Sequence, residues 1–242
     1  MTDHISRMPL WAVVLFIATF LYSIVFISQP VRKAALGADI TRRRATNIQL
    51  GILVFYMAYI AYVSLLALKG VFDVNSLPPK VMILASIPLM AILFGYIGNT
   101  RLFKTLLRSI TLEALIGIHI FRLLGVFFIL IYVYHLLPAK FAFSAGLGDI
   151  ITAILALPVA RMVIKRKTGW KTAVYAWSIF GILDIVDLLV IAVIIGANGN
   201  LREMTVFPFV WFPRFCSGYH FIFTYDCFQK TVSTGTTAKR LK

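Results

Sequence analysis

Residues 173–197 read AVYAWSIFGILDIVDLLVIAVIIGA and carry only two charged side chains, Asp184 and Asp187. An α-helix needs about 20 mostly apolar residues to cross the ~30 Å hydrocarbon core of a bilayer. The stretch meets this requirement, so it predicts a transmembrane helix. Because both acids fall within it, it also predicts ionisable groups at membrane depth.

Segments of the same kind recur along the chain. A weaker seventh segment covers residues 205–225, where Pro208, Pro213 and Arg214 interrupt the apolar run. We therefore expect a single transmembrane domain over residues 1–242, an all-α polytopic bundle of about seven helices. The six clear segments are residues 10–27, 48–68, 81–98, 114–137, 143–164 and 173–197.

The composition excludes several classes of protein. Of the 242 residues, 60% are hydrophobic and 14% are charged. A soluble domain has about 45–50% apolar and about 25% charged residues, and a soluble fold cannot bury such an apolar excess. A soluble enzyme, a disordered regulator and a nucleic-acid-binding domain are therefore excluded. Catalytic patterns such as H-E-x-x-H and G-x-S-x-G are absent as well, so we do not expect an enzyme.

The net charge of +15 predicts the orientation in the membrane, because loops rich in Lys and Arg stay cytoplasmic. Seventeen basic residues lie in the first, third and fifth loops and the tail, and five lie on the opposite side. We expect the N-terminus outside, the C-terminus in the cytoplasm, and anionic lipid rather than nucleic acid as the partner of the basic loops. The seventeen are Arg32, Lys33, Arg42, Arg43, Arg44, Arg101, Lys104, Arg108, Arg161, Lys165, Arg166, Lys167, Lys171, Lys230, Lys239, Arg240 and Lys242; the five are Arg7, Lys69, Lys80, Lys140 and Arg202.

Ionisable residues inside the spans are costly and mark candidate functional positions. The fourth and sixth spans each carry two of them at a spacing of three, which places each pair on one helix face. A further acid lies near the start of the fifth span and a histidine near the end of the fourth. The predicted intramembrane polar site therefore consists of His119, Arg122, His135, Asp149, Asp184 and Asp187.

The depths of these residues predict which of them meet. At 1.5 Å per residue, Arg122 lies about 12 Å and Asp184 about 16 Å from the inner ends of their helices. We expect these two to form an ion pair and Asp187 to be less compensated. By the same reasoning, Asp149 lies about 9 Å from the outer surface, close to the level of His135.

Two interpretations of this site remain open. The buried charges either lock the bundle together, or line a polar cavity in which Asp187 or Asp149 exchanges protons or holds a cation. The second favours a proton-linked carrier of small solutes, and the first a structural or accessory subunit with a partner membrane protein or a second copy of the chain. No metal or cofactor is expected. A haem- or lipid-binding membrane protein remains a third alternative. For haem, His119 and His135 lie about 24 Å apart along one helix, and only His220 is left to pair with either.

Two repeated patterns are weaker signals. Residues 146–150 and 181–185 both read G-x-x-D-I, which we interpret as chance similarity in an apolar background. Tyr56, Tyr59 and Tyr62 follow one another at a spacing of three in the second span, which is more typical of contacts between helices than of a ligand site.

Prolines predict where the helices end or bend. The first apolar run ends at Ser28-Gln29-Pro30. Pro88 and Pro158 lie inside the third and fifth spans, where proline kinks a helix.

The region from the fourth to the sixth span resembles a group of small multi-pass bacterial inner-membrane proteins of unknown function. The stretches that carry the resemblance are HIFRLLG at 119–125, LPAKFA at 137–142 and GLGDI at 146–150. The resemblance implies a bacterial inner (plasma) membrane location and marks His119, Arg122, Asp149 and Asp184 as the polar positions of the group. It implies no function.

Overall fold

A computed structural model describes residues 4–73, 76, 79–196 and 201–212 of the chain. In these residues seven helices form, and six of them are long and apolar enough to cross a membrane. The helices are α1 (Leu10–Gly37), α2 (Arg42–Leu68), α3 (Met82–Asn99), α4 (Arg101–Ser109), α5 (Leu112–Val133), α6 (Ala139–Ile164) and α7 (Trp170–Gly196). The six clear spans predicted from the sequence are therefore confirmed, and α4 is an addition.

The end of α1 differs from the sequence prediction, because the helix continues through Pro30 to Gly37. The residues that follow Pro30 include Ala34 and Ala35, which are buried and let neighbouring helices approach closely. A proline inside a transmembrane helix is tolerated where its surroundings satisfy the backbone. Pro158 likewise lies inside the uninterrupted helix α6.

Helix α3 departs from α-helical geometry on both sides of Pro88. Its two π-helical segments are Met82–Ser86 and Ala91–Tyr96. Proline has no N–H to donate to the carbonyl four residues earlier, which here belongs to Leu84. The Tyr62 hydroxyl donates to that carbonyl at 3.2 Å and the Tyr59 hydroxyl to the next one, of Ala85, at 2.5 Å. The tyrosines of α2 therefore stabilise the break in α3.

Helix α4 was not predicted as a helix, because its three basic residues were assigned to a loop. The Thr100 hydroxyl caps its N-terminus by accepting a hydrogen bond from the Phe103 N–H at 3.2 Å. Leu106 is buried in a small cluster with Ala35 of α1 and Ala45 of α2. The helix is amphipathic and lies where α1 ends and α2 begins.

Residues 201–212, which we call the re-entrant segment, include the first part of the predicted seventh span at 205–225. They form short 3-10 turns, the second at Phe209–Trp211, and the remainder of that predicted span, 213–225, lies outside the described residues. The Trp211 indole donates to the Ser64 hydroxyl at 2.9 Å, and the ring of Phe209 lies 4.7 Å from that of Phe16. Non-helical backbone is tolerated at membrane depth where protein buries it, and these side chains are buried.

The two ends of the bundle differ in charge. The Ser6 N–H donates to the Phe207 carbonyl at 2.9 Å, so the chain after α7 returns to the end at which α1 begins. We call this end the N-terminal side. The opposite end, where α1 meets α2 and α6 meets α7, carries most of the basic residues, and we call it the basic side.

Candidate functional site

Arg122 of α5 lies between two acids that belong to different helices. Its Nε donates to Oδ1 of Asp149 on α6 at 2.5 Å, and its Nη2 forms an ion pair with Oδ2 of Asp184 on α7. The Arg122 and Asp149 side chains are 1% and 2% exposed, and that of Asp184 is 7% exposed. We call these three residues the ion cluster; it joins three spans and contains one cation and two carboxylates.

The segment of α5 that bears Arg122 is not α-helical. His119–Gly125 forms a 3-10 helix of seven residues between two α-helical parts, whereas such helices rarely exceed three or four residues. In a 3-10 helix, residues three apart lie directly above one another. His119, Arg122 and Gly125 therefore form one row, and all three are buried.

Glycines allow α5, α6 and α7 to approach closely enough for the ion cluster to form. A Cβ on Gly125 would lie 2.6 Å from the Asp149 Cβ, and one on Gly148 would overlap the Asp184 carboxylate. A Cβ on Gly181 would lie 3.4 Å from Arg122 Nη1. The acids of the two G-x-x-D-I stretches thus meet at one arginine, which the sequence alone did not indicate.

Several buried polar atoms around the ion cluster have no hydrogen-bond partner among the described residues. They are Arg122 Nη1, Asp149 Oδ2, Thr152 Oγ1 and Ser178 Oγ. An unsatisfied buried polar atom costs about 1–3 kcal/mol. All four belong to the helices that carry the ion cluster, so this region of α5, α6 and α7 holds several polar atoms whose desolvation is uncompensated.

An aromatic contact borders the cluster on the basic side. The Trp177 indole of α7 donates to the Thr152 carbonyl of α6 at 2.9 Å. The His119 ring packs edge-on against Trp177, with 4.8 Å between the ring centroids. His119 thus belongs to the layer next to the ion cluster, one 3-10 turn from Arg122.

The structure separates two of the six predicted site residues from this group. Asp187 is exposed on α7 among apolar side chains such as Leu183 and Val190, and it accepts a hydrogen bond from the Ser144 hydroxyl. His135 is exposed at the turn after α5 with a backbone φ of 58°. His119, Arg122, Asp149 and Asp184 are brought together.

The predicted pair of Arg122 with Asp184 is confirmed, and the level assigned to Asp149 is wrong. Helix α6 begins at Ala139, four residues before the predicted start of the span. Asp149 therefore lies about 15 Å into the helix rather than about 9 Å. At this depth it contacts Arg122 and does not lie at the level of His135.

Thr152, Ser178, Ser144 and Trp177 were missed as site residues. Single hydroxyl and indole groups are common in transmembrane helices and carry little signal alone. Thr152 and Ser178 lie three residues from Asp149 and from Gly181, and that helical spacing is the signal that would have found them.

The described residues contain no group of three or more His, Cys, Asp or Glu that could hold a metal ion. The predicted alternative of a haem held by His220 concerns a residue outside the described ranges. Two cavities of about 340 Å³ each lie elsewhere in the bundle, and no residue of the ion cluster lines either of them.

A family model described as "Domain of unknown function (DUF8737)" matches residues 78–225, which is more than half of the chain. This protein belongs to the DUF8737 family. The matched region of this DUF8737 member contains α3 to α7, the re-entrant segment and the whole ion cluster. No curated protein and no solved structure matches the chain.

Proposed function

We propose that this DUF8737 protein is a proton-linked carrier of a small solute in a bacterial inner membrane, with the ion cluster as its coupling site. The observation that carries the proposal is the position of the cluster: its buried cation, Arg122, lies on a 3-10 segment that interrupts a transmembrane helix, and Arg122 itself has an unsatisfied polar atom. Irregular helices at the bilayer midplane are where secondary transporters bind their substrates and ions.

The charge of the cluster supports a role in proton binding. One guanidinium faces two carboxylates, so the fully ionised cluster has a net charge of −1 in a buried environment. A net charge at this depth is costly, and one proton on a carboxylate removes it. Binding and release of that proton would then be coupled to whether water reaches the cluster.

The 3-10 segment supplies a means of movement. A 3-10 helix rises about 2.0 Å per residue and an α-helix about 1.5 Å, so rewinding the seven residues of His119–Gly125 would shorten α5 by about 3.5 Å. Rewinding would also break the row of His119, Arg122 and Gly125. In this proposal the two forms of the segment correspond to two states of access.

Solute-driven proton movement tests the proposal. The purified protein is placed in proteoliposomes that contain a pH-sensitive dye, and amino acids, monosaccharides and monocarboxylates are added outside in turn. We expect at least one solute class to acidify the interior, and we expect Asp184→Asn to abolish the effect. Asp187→Asn, which lies one turn away on α7 and outside the ion cluster, is the matched control and should retain it.

A structural or accessory subunit is the second candidate, and the glycine contacts favour it. Gly125, Gly148 and Gly181 leave little space around the ion cluster, as expected for a fixed joint between helices. Under this alternative, no solute moves protons in the liposomes. A variant that keeps side-chain size and hydrogen bonding but carries no charge would then fold and assemble normally.

A further inference from the structure

We infer that the cavity on the N-terminal side, between α3, α5, α6 and α7, binds an amphiphile with an anionic headgroup and an apolar chain. We call it the portal cavity. The inference does not depend on the carrier proposal, because the portal cavity and the ion cluster share no residue.

The portal cavity has apolar walls from four helices and the re-entrant segment. Its volume of about 340 Å³ falls in the range of small-ligand sites, which is about 300–1,000 Å³. The apolar lining includes Phe128, Phe141, Leu188, Ala192 and Phe212. Phe128 and Phe212 contact each other with 4.1 Å between their ring centroids, so the re-entrant segment forms part of the wall.

The charged lining residues of the portal cavity lie at its membrane-surface level. Lys80 precedes α3, and Arg202 lies in the re-entrant segment just after α7. Asp73 also lines the cavity, and its carboxylate lies 3.8 Å from Nδ1 of His4. Among the described lining residues, two basic residues and one acid give this level a net positive charge.

The charged and the apolar lining residues of the portal cavity lie at different depths. Leu188 lies eight residues before the end of α7 and Phe128 five residues before the end of α5, which is about 12 Å and about 8 Å along the helices. The cavity is therefore cationic at the surface and apolar below. This order matches an amphiphile whose charged head lies at the headgroup level and whose chain points into the bilayer.

Two of the four helices around the portal cavity, α3 and α7, present exposed apolar side chains to the lipid. Ile83 and Ile87 of α3 and Ile194 of α7 are exposed apolar side chains. A ligand that partitions into the membrane therefore reaches these helices without passing through water. Basic residues near a membrane surface attract anionic headgroups.

The second cavity of similar volume is different in kind. It lies between α1, α2, α3 and α4, and the described residues that line it carry no charge. It would accept apolar chains without selecting a headgroup. Selectivity for an anionic head is therefore a specific expectation for the portal cavity.

Lipid binding measured by native mass spectrometry tests the inference. The full-length protein in detergent is titrated with phosphatidylglycerol, with oleate and with phosphatidylcholine. We expect the two anionic amphiphiles, or one of them, to bind more tightly than phosphatidylcholine; which one binds identifies a phospholipid or a free fatty acid as the source. Equal binding of all three, or no binding, would overturn the inference.

The first variant tests whether the basic lining residues of the portal cavity bind the headgroup. Lys80→Gln with Arg202→Gln should weaken binding of the preferred anionic amphiphile about 30-fold, since each basic residue near the headgroup contributes about fivefold. Arg7→Gln with Lys140→Gln removes two exposed charges from the same side, outside the portal cavity, and should change binding little. If both double variants weaken binding equally, the effect is general surface charge and the inference fails.

Filling the cavity provides the second variant. Ala192→Phe should prevent binding, because the phenyl group would fill the space that the apolar chain of the ligand occupies. Ala176→Phe makes the same change at an exposed position of α7 and should leave binding unchanged. Thermal melting of each variant shows whether it is folded, and a folded Ala192→Phe protein that still binds as tightly would contradict the inference.

Discussion

At the scale of single residues, Gly148 tests how closely α6 and α7 must approach. A Cβ at this position overlaps the Asp184 carboxylate, so Gly148→Ala should push the helices apart and destabilise the protein by about 1–3 kcal/mol. Gly51→Ala is the control, because nothing lies within 4 Å of its Cβ position and alanine favours a helix by up to about 1 kcal/mol. Thermal melting in detergent measures both, and equal stability of the two variants would contradict the packing described here.

His135 is expected to act through its backbone. The His135 N–H donates to the Tyr132 carbonyl and the Leu136 N–H to the Ile131 carbonyl, the two hydrogen bonds of a Schellman motif, whose C′ residue has a positive φ and is usually glycine. His135→Gly should therefore retain or raise stability by up to about 1 kcal/mol, whereas His135→Val should lower it by about 1–2 kcal/mol. Loss of solute-driven proton movement in a stable His135→Gly protein would show a role for the imidazole after all.

The ion cluster was predictable from the sequence only in part. Charges inside apolar runs identified Arg122, Asp149 and Asp184 as a group, and helical rise correctly paired Arg122 with Asp184. The position of Asp149 failed because it depended on where α6 begins, and apolar length defines helix ends poorly. The unsatisfied hydroxyls of Thr152 and Ser178 depend on helix rotation and packing, which the sequence does not specify.

At the scale of elements, the break in α3 depends on tyrosines of α2. Tyr59→Phe removes the donor to the Ala85 carbonyl and should cost about 1–3 kcal/mol, because a carbonyl inside the span loses its partner. Tyr22→Phe is the control, since Tyr22 is 66% exposed on α1. Melting temperatures that fall equally for the two variants would argue against a specific role of Tyr59.

The elements themselves were predictable to different degrees. Six spans followed from apolar length, because the bilayer imposes that length. Helix α4 was not predicted, because its basic residues were interpreted as the charges of a cytoplasmic loop. The helical spacing of its apolar residues is nevertheless visible in Leu102, Phe103, Leu106 and Leu107. The 3-10 segment in α5 and the re-entrant segment could not be predicted, since both depend on which helices pack beside them.

At the scale of the whole molecule, the distribution of charge predicts the orientation even when the basic residues of the C-terminal tail are left out of the count. Thirteen basic residues lie at the basic side and five at the N-terminal side of the bundle, so we expect the basic side in the cytoplasm. With Cys216 and Cys227 replaced by serine, Lys140→Cys should react with a membrane-impermeant maleimide on intact spheroplasts. Lys167→Cys should react only after permeabilisation, and the reverse pattern would invert the proposed orientation.

The ion cluster joins three helices through single buried side chains. Its charge is the central element of the proposed function, and a neutral cluster of similar size separates charge from packing. The combined variant Arg122→Gln, Asp149→Asn and Asp184→Asn keeps side chains that hydrogen-bond and removes all three charges.

The most direct test is solute-driven proton uptake by this variant in proteoliposomes, with its thermal melting as the measure of folding. The proposed function predicts a folded protein that no longer moves protons with the solute that drives the unmodified protein. A folded variant with unchanged proton uptake would contradict this prediction. The ion cluster would then serve only to hold its three helices together.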